Sequence, residues 1–286
     1  PWQAYVVCAD HPARILRSGG RKAGWIYYAF RDKLKALKAM LENPGRWGYV
    51  NAQDYGAVTT PGEMAQLKDF VYAEAAEGRR VSVDIEDAPD GKKRKMLIVG
   101  FGWGEYKKRR WPGGARSVVL YHPEVDQSPA RIKPILRDLK QILEDPKVKK
   151  VFQYGSSDVE AIHEELGFTV RGYDYDSMYA VYLWRSHLRT YGLDSLVGFF
   201  HMEFADYKQM CKEWMADLTK APLELLVPYN AGDCDVTKRL EQQTDGKISH
   251  ALLQVYIHCG FTLRAMERRG PILDRDAVTK LRGVIV

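Results

Sequence analysis

The chain has 286 residues, of which 45% are hydrophobic and 28% charged. That length suggests one large domain or two small ones, and the composition excludes wholesale disorder, collagen and coiled coil. Lysine and arginine outnumber aspartate and glutamate by 43 to 37, a net charge of +6. The surplus is uneven: residues 91–110 hold eight basic side chains and one acidic, and residues 1–57 hold nine and four. Concentrated positive charge on an otherwise mildly acidic chain fits a polyanionic partner. No uninterrupted 18-residue apolar run suggests a membrane span. The cysteines, Cys8, Cys211, Cys234 and Cys259, form no CxxC pair, which suits reduced thiols in an intracellular protein and argues against zinc or iron–sulfur sites.

No secretory signal opens the chain, and Pro1 suggests a start after a removed methionine or at a cut. Residues 4–8 suit a strand, and residues 28–41 a helix ended by Asn43, Pro44 and Gly45. Residues 1–57 form an extension or small appended domain of no assigned role. A new unit begins near Val58. Thr60 is placed to cap a helix through about Glu77, with Pro61 in its first turn. Strands are expected at 79–87, 95–103 and 116–123, with a basic hairpin connection over 105–115. A helix follows over 129–144, then a buried strand at 149–154, a helix at 158–166 and a strand at 168–173. Beyond residue 174 helices dominate, at 174–186 and 193–200. A short helical turn at 222–227 precedes a new helix from Pro228 to about Gln243, and the longest helix spans 247–269. The pattern predicts an α/β fold: a mixed sheet flanked by helices, with a mostly helical C-terminal part. GFGWG at 100–104 leads into a hairpin rather than a helix, so it is no dinucleotide loop.

The chemistry lies in the acids. Asp84 and Glu86 are two apart on a predicted strand, so they share one face. Carboxylates in that arrangement suit Mg²⁺ or Mn²⁺. Asp158 falls where a buried strand gives way to a helix, the end of the sheet at which α/β sites form; a helix cap is its plainer role. Tyr229 and Asp233, four apart, share a helix face, and Asp235 is expected off that face, toward solvent. Four carboxylates from two strand positions, one junction and one helix can hold two divalent ions about 4 Å apart, the clamp used for phosphoryl displacement.

These motifs resemble the proofreading 3′–5′ exonuclease domain of family A DNA polymerases, in the DnaQ-like (ribonuclease H-like) superfamily. Val83–Asp84–Ile85–Glu86 matches the first motif, FQYGSSD at 152–158 the second, and YNAGDCDVTKRL at 229–240 the third, in its tyrosine branch. The motifs follow at intervals of about 70 and 75 residues. YDYDSMYAVYL at 173–183 and YGLDSLVGFF at 191–200 resemble the segments between the second and third. The resemblance covers roughly 58–275. It implies an exonuclease domain over 58–245, and a helix and linker toward a polymerase domain over 246–286. The chain then resembles a fragment of a longer polymerase or a free-standing relative. It also implies roles. Asp84 bridges two ions, Glu86 and Asp233 share the first, Asp158 holds the second, and Tyr229 orients the attacking water. The implied substrate is a single-stranded DNA 3′ end, released as nucleoside 5′-monophosphates. An RNA 3′-end exonuclease and a catalytically silent binding module are the competing expectations. Tyr154 stands where the family usually has asparagine. Tyr154, Phe101 and Met178 are candidates for contact with terminal bases, and Lys107, Lys108, Arg109 and Arg110 for phosphates.

Overall fold

In the computed structural model, residues 54–91, 93–105, 113–200, 202, 211–270 and 274–285 are described. The predicted elements at 4–8 and 28–41, and Lys107, Lys108, Arg109 and Arg110, lie outside them. Six strands form one sheet: β1 (Asp54–Val58), β2 (Val81–Asp90), β3 (Lys93–Trp103), β4 (Gly114–Val119), β5 (Lys150–Phe152) and β6 (Tyr173–Asp176). Their order is β1-β4-β3-β2-β5-β6. The β2–β3 and β3–β4 pairs are antiparallel, and β1–β4, β2–β5 and β5–β6 are parallel. A meander of long strands therefore carries parallel strands at both edges.

Helices α1 (Pro61–Ala76) and α2 (Pro129–Glu144) cover one face. Thr60 and Glu63 form a reciprocal capping box at the start of α1, which is why its N-terminus is legible in sequence. Met64, Leu67 and Val71 of α1 and Ile135, Leu139 and Ile142 of α2 meet Val81, Val83, Val99 and Phe101 in the main core. The short helix α3 (Ser156–Leu166) follows β5 and adds Ile162 to that core. After β6 come α4 (Ser177–Trp184) and α5 (Leu193–Phe199). Helix α6 (Leu223–Thr244) crosses the opposite face of the sheet. Then α7 (His250–Arg269) packs Leu253 and Ile257 against Val151 and Tyr175, and α8 (Arg275–Ile285) follows. No described helix is long and apolar enough to cross a membrane.

Four local expectations are corrected. Helix α6 runs unbroken through Pro228 rather than restarting there. The one hydrogen bond a proline removes is outweighed by burial of Leu226, Val227 and Tyr229 around it. The strand expected at 168–173 instead lies at Tyr173–Asp176. Phe168 fills the core from a connecting segment, and Gly172 takes a left-handed conformation against the Val148 carbonyl. The helix expected from residue 174 starts at Ser177, because Asp176 caps it by accepting from the Tyr179 N–H at 3.0 Å. Asp235 is fully buried, not solvated. It accepts from the Tyr55 hydroxyl at 2.7 Å and pairs with Arg239. Residues 229–241 of α6 are buried apart from Asp233, between the sheet and α4 with α5, so a single buried stripe misjudges it.

Candidate active site

The acids meet where β2 passes under α6. Strand alternation sends Val81 and Val83 into the main core and turns Ser82, Asp84 and Glu86 toward α6. The Ser82 hydroxyl donates to the Cys234 carbonyl of α6 at 2.6 Å, fixing helix to strand. A register shift between Glu86 and Asp87 puts a bulge beside the acids, and pairing resumes from Asp87 with Met96 to Asp90 with Lys93. Glycines allow α6 to approach. A Cβ on Gly100 would lie 2.4 Å from Asn230 Oδ1, and one on Gly102 would lie 2.9 Å from the Cys234 backbone.

This close crossing gathers three carboxylates. One oxygen each from Asp84, Glu86 and Asp233 lie within 4.8 Å of one another. It is the only such cluster of histidine, cysteine or acidic ligands among the described residues. Burial pushes the Asp84 carboxyl well above its ordinary pKa, and the Asp233 charge pushes it further. Glu86 rises for the same reasons, burial first and then Asp84, Asp233 and Asp158. All the donors are carboxylate oxygens and the strongest charges acting on Asp84 and Glu86 are negative. A hard divalent cation fits that donor set, since it would relieve the repulsion that raises both groups.

Asp158 stands outside this trio. It is the third residue of α3 rather than its cap, which is Gly155. Burial raises its carboxyl and the Asp84 charge is the next cause, so it faces the cluster electrostatically. The turn that carries it is held by Asp176, which accepts from the Gly155 N–H at 3.1 Å and from the Tyr173 hydroxyl. Tyr154, in the same turn, takes a left-handed conformation with φ 57°, uncommon for a residue with a side chain. Its ring is 40% exposed and meets Tyr179 edge-on at 6.0 Å.

Tyr229 lies one helical turn before Asp233 and is only 6% exposed. Burial raises its hydroxyl pKa strongly, with Glu86, Asp233 and Asp84 adding to the effect. It therefore stays protonated at any working pH. Met178 is half-buried on α4. Phe101 is corrected as a candidate for base contact: it is fully buried in the main core. It pairs with Val83 on β2 and so faces away from α6, whereas its neighbour Gly100 pairs with Asp84. Sequence reasoning missed Asn230, whose Nδ2 donates to Asp84 Oδ2 at 2.9 Å. The signal was an amide beside Tyr229 on a helix whose residues 229–241 are buried apart from Asp233.

A mixed six-stranded sheet flanked by helices, with acids from β2, the first turn of α3 and α6, defines a ribonuclease H-like exonuclease fold. The chain belongs to the 3′–5′ exonuclease family of family A DNA polymerases, whose model matches residues 58–248. It is 30% identical to DNA polymerase I of Pseudomonas aeruginosa over 269 residues, 86% of this chain and 27% of that protein. It is 26% identical to DNA polymerase I of Treponema pallidum over 162 residues, 54% of this chain and 16% of that protein. The chain thus spans about a quarter or less of the curated relatives it matches. Among solved structures it resembles Trypanosoma brucei RNase D in complex with the RNA U12. There the TM-score is 0.53 at 15% identity, over 77% of this chain and 74% of that one. That likeness is one of fold alone.

Proposed function

We propose that the chain removes nucleoside 5′-monophosphates from the 3′ end of single-stranded DNA with the help of divalent cations, Mg²⁺ or Mn²⁺, as the proofreading part of a family A DNA polymerase. The convergence of Asp84, Glu86 and Asp233 within 4.8 Å carries the reading. In it, these three hold one cation, and Asp158 with Asp84 holds a second. When bound, such ions supply a Lewis acid that acidifies water and offsets phosphate charge. The chain's own groups do the rest. Tyr229, kept neutral by burial among acids, orients the attacking water by hydrogen bonding and does not serve as its base. Tyr154, exposed beside the Asp158 turn, offers a ring for a terminal base, with Met178 as an apolar neighbour. Lys107, Lys108, Arg109 and Arg110 offer charge for the backbone of the strand.

DNA is favoured over RNA by the match to two DNA polymerases, which is closer in sequence than the RNase D likeness. Digestion of matched single-stranded DNA and RNA with Mg²⁺, beside an Asp84→Ala control, tests the proposal. Mononucleotide release from DNA at least tenfold faster than from RNA, abolished in the control, is the expected result. Faster RNA digestion would assign the RNA 3′-end role instead. No release from either would leave a silent binding module.

A further inference from the structure

The Asn230 amide bridges two strands beneath α6. Its Nδ2 donates to Asp84 Oδ2 at 2.9 Å, with the Asp84 backbone oxygen at 3.4 Å. Its Oδ1 accepts from the Ser117 hydroxyl at 2.7 Å. The Val227 carbonyl lies 3.2 Å from the same hydroxyl. Asn230 and Ser117 are both fully buried. The three groups lie along one line across the sheet: Gly100 on β3 pairs with Asp84 of β2 on one side and with Ser117 of β4 on the other. The missing side chain at Gly100 is what leaves room for the amide. Chemistry sets its direction. The Asp84 backbone carbonyl and the ionised Asp84 carboxylate only accept, so the amide turns its NH₂ toward Asp84, and its oxygen faces Ser117, whose hydroxyl can donate to it.

We propose that Asn230, aimed by Ser117, is a positioning residue for Asp84: it holds one carboxylate oxygen through a neutral donor and leaves the carboxylate's charge available to a divalent cation. The inference rests on reading Asp84 as a cation ligand. A lysine or arginine in the same place would orient the group and also neutralise it. An amide orients without competing for the charge. Partners that hold a ligating carboxylate typically contribute 10–100-fold to metal affinity.

Titration of the whole chain with Mn²⁺ alone, followed by calorimetry, tests this in the parent and in Asn230→Ala, Asn230→Leu, Ser117→Ala and Asp84→Ala. Both Asn230 variants should bind Mn²⁺ about 10–100-fold more weakly, and Ser117→Ala should show a smaller loss. On single-stranded DNA, kcat should fall while KM holds, since Asn230 is fully buried beneath the site. Leucine shares asparagine's branched four-atom shape, so Asn230→Leu is the second variant if alanine costs the fold. Its thermal melt in metal-free buffer should stay cooperative at a lowered midpoint, since the Asp84 carboxyl and the Ser117 hydroxyl lose their amide partner. Parent-like Mn²⁺ affinity in a folded Asn230→Leu would overturn the proposal, and parent-like affinity in Ser117→Ala would remove the serine from it. If Asp84→Ala loses Mn²⁺ and Asn230→Leu keeps it, only this inference fails. If Asp84→Ala binds as tightly as the parent, the cation reading of the site fails as well.

Discussion

Asp84 is an acid placed where its charge is unwelcome until a cation arrives. Burial and Asp233 hold its folded pKa above the unfolded value. The sign of the consequence follows. Below the unfolded value of about 4 both states are protonated and the group costs the fold nothing. As pH rises toward the folded value, the unfolded chain releases its proton first, and metal-free stability falls. Asp84→Asn removes that cost. Its metal-free form should be more stable than the parent at pH 7, and the difference should vanish below about pH 4, where both states are protonated. Adding Mg²⁺ should reverse the order, because only the parent gains binding energy from the ion. Thermal melts across pH, with and without Mg²⁺, check both halves. An Asp84→Asn variant less stable than the parent in metal-free buffer at pH 7 would mean that the cluster is not strained by its own charge.

At the scale of elements, the site depends on how closely α6 lies on β2 and β3. Gly100 sets that distance, since its Cβ would fall 2.4 Å from Asn230 Oδ1 and 2.5 Å from Cys234 Sγ. Both neighbours are buried, so neither can give way freely. Gly100→Ala should cost about 1–3 kcal/mol by overpacking and should also lower exonuclease turnover, because α6 carries Tyr229 and Asp233. Denaturant unfolding beside a digestion assay measures both; an unchanged midpoint with full activity would contradict the close-crossing account. The same crossing explains what was legible in the sequence. Asp84 and Glu86 could be paired because strand period alone puts them on one face, and the start of α1 because Thr60, Pro61 and Glu63 announce it. Asp235 and Asn230 could not be placed, because a helix buried on nearly every side carries no amphipathic pattern. Phe101 misled for a related reason. Its aromatic ring said nothing about which face of β3 it takes, and its pairing with Val83 decides that. Pro228 looked like a start only because packing on both sides of the helix is invisible in one dimension.

For the whole molecule, charge and site should act together on a polyanion. The sheet and α6 bring Asp84, Glu86 and Asp233 together, while the sequence also carries a basic surplus over residues 91–110. Neutralising Lys107, Lys108, Arg109 and Arg110 together should weaken single-strand binding. It should also flatten the fall of log affinity with log salt, by roughly 0.7 for each phosphate that the protein no longer neutralises. An unchanged slope would take these four side chains out of the interface. Family membership makes the chain a 3′–5′ exonuclease domain, and its match to a quarter of a DNA polymerase I is the reason to propose a polymerase domain as its companion.

The most direct test of the account is a crystal soaked in Mn²⁺ with a short single strand, read by anomalous scattering. The account predicts a manganese peak within bonding distance of Asp84, Glu86 and Asp233, with the 3′-terminal phosphodiester beside it and the Tyr229 hydroxyl turned toward the site. Manganese elsewhere, with those three carboxylates unligated at saturating metal, would contradict it.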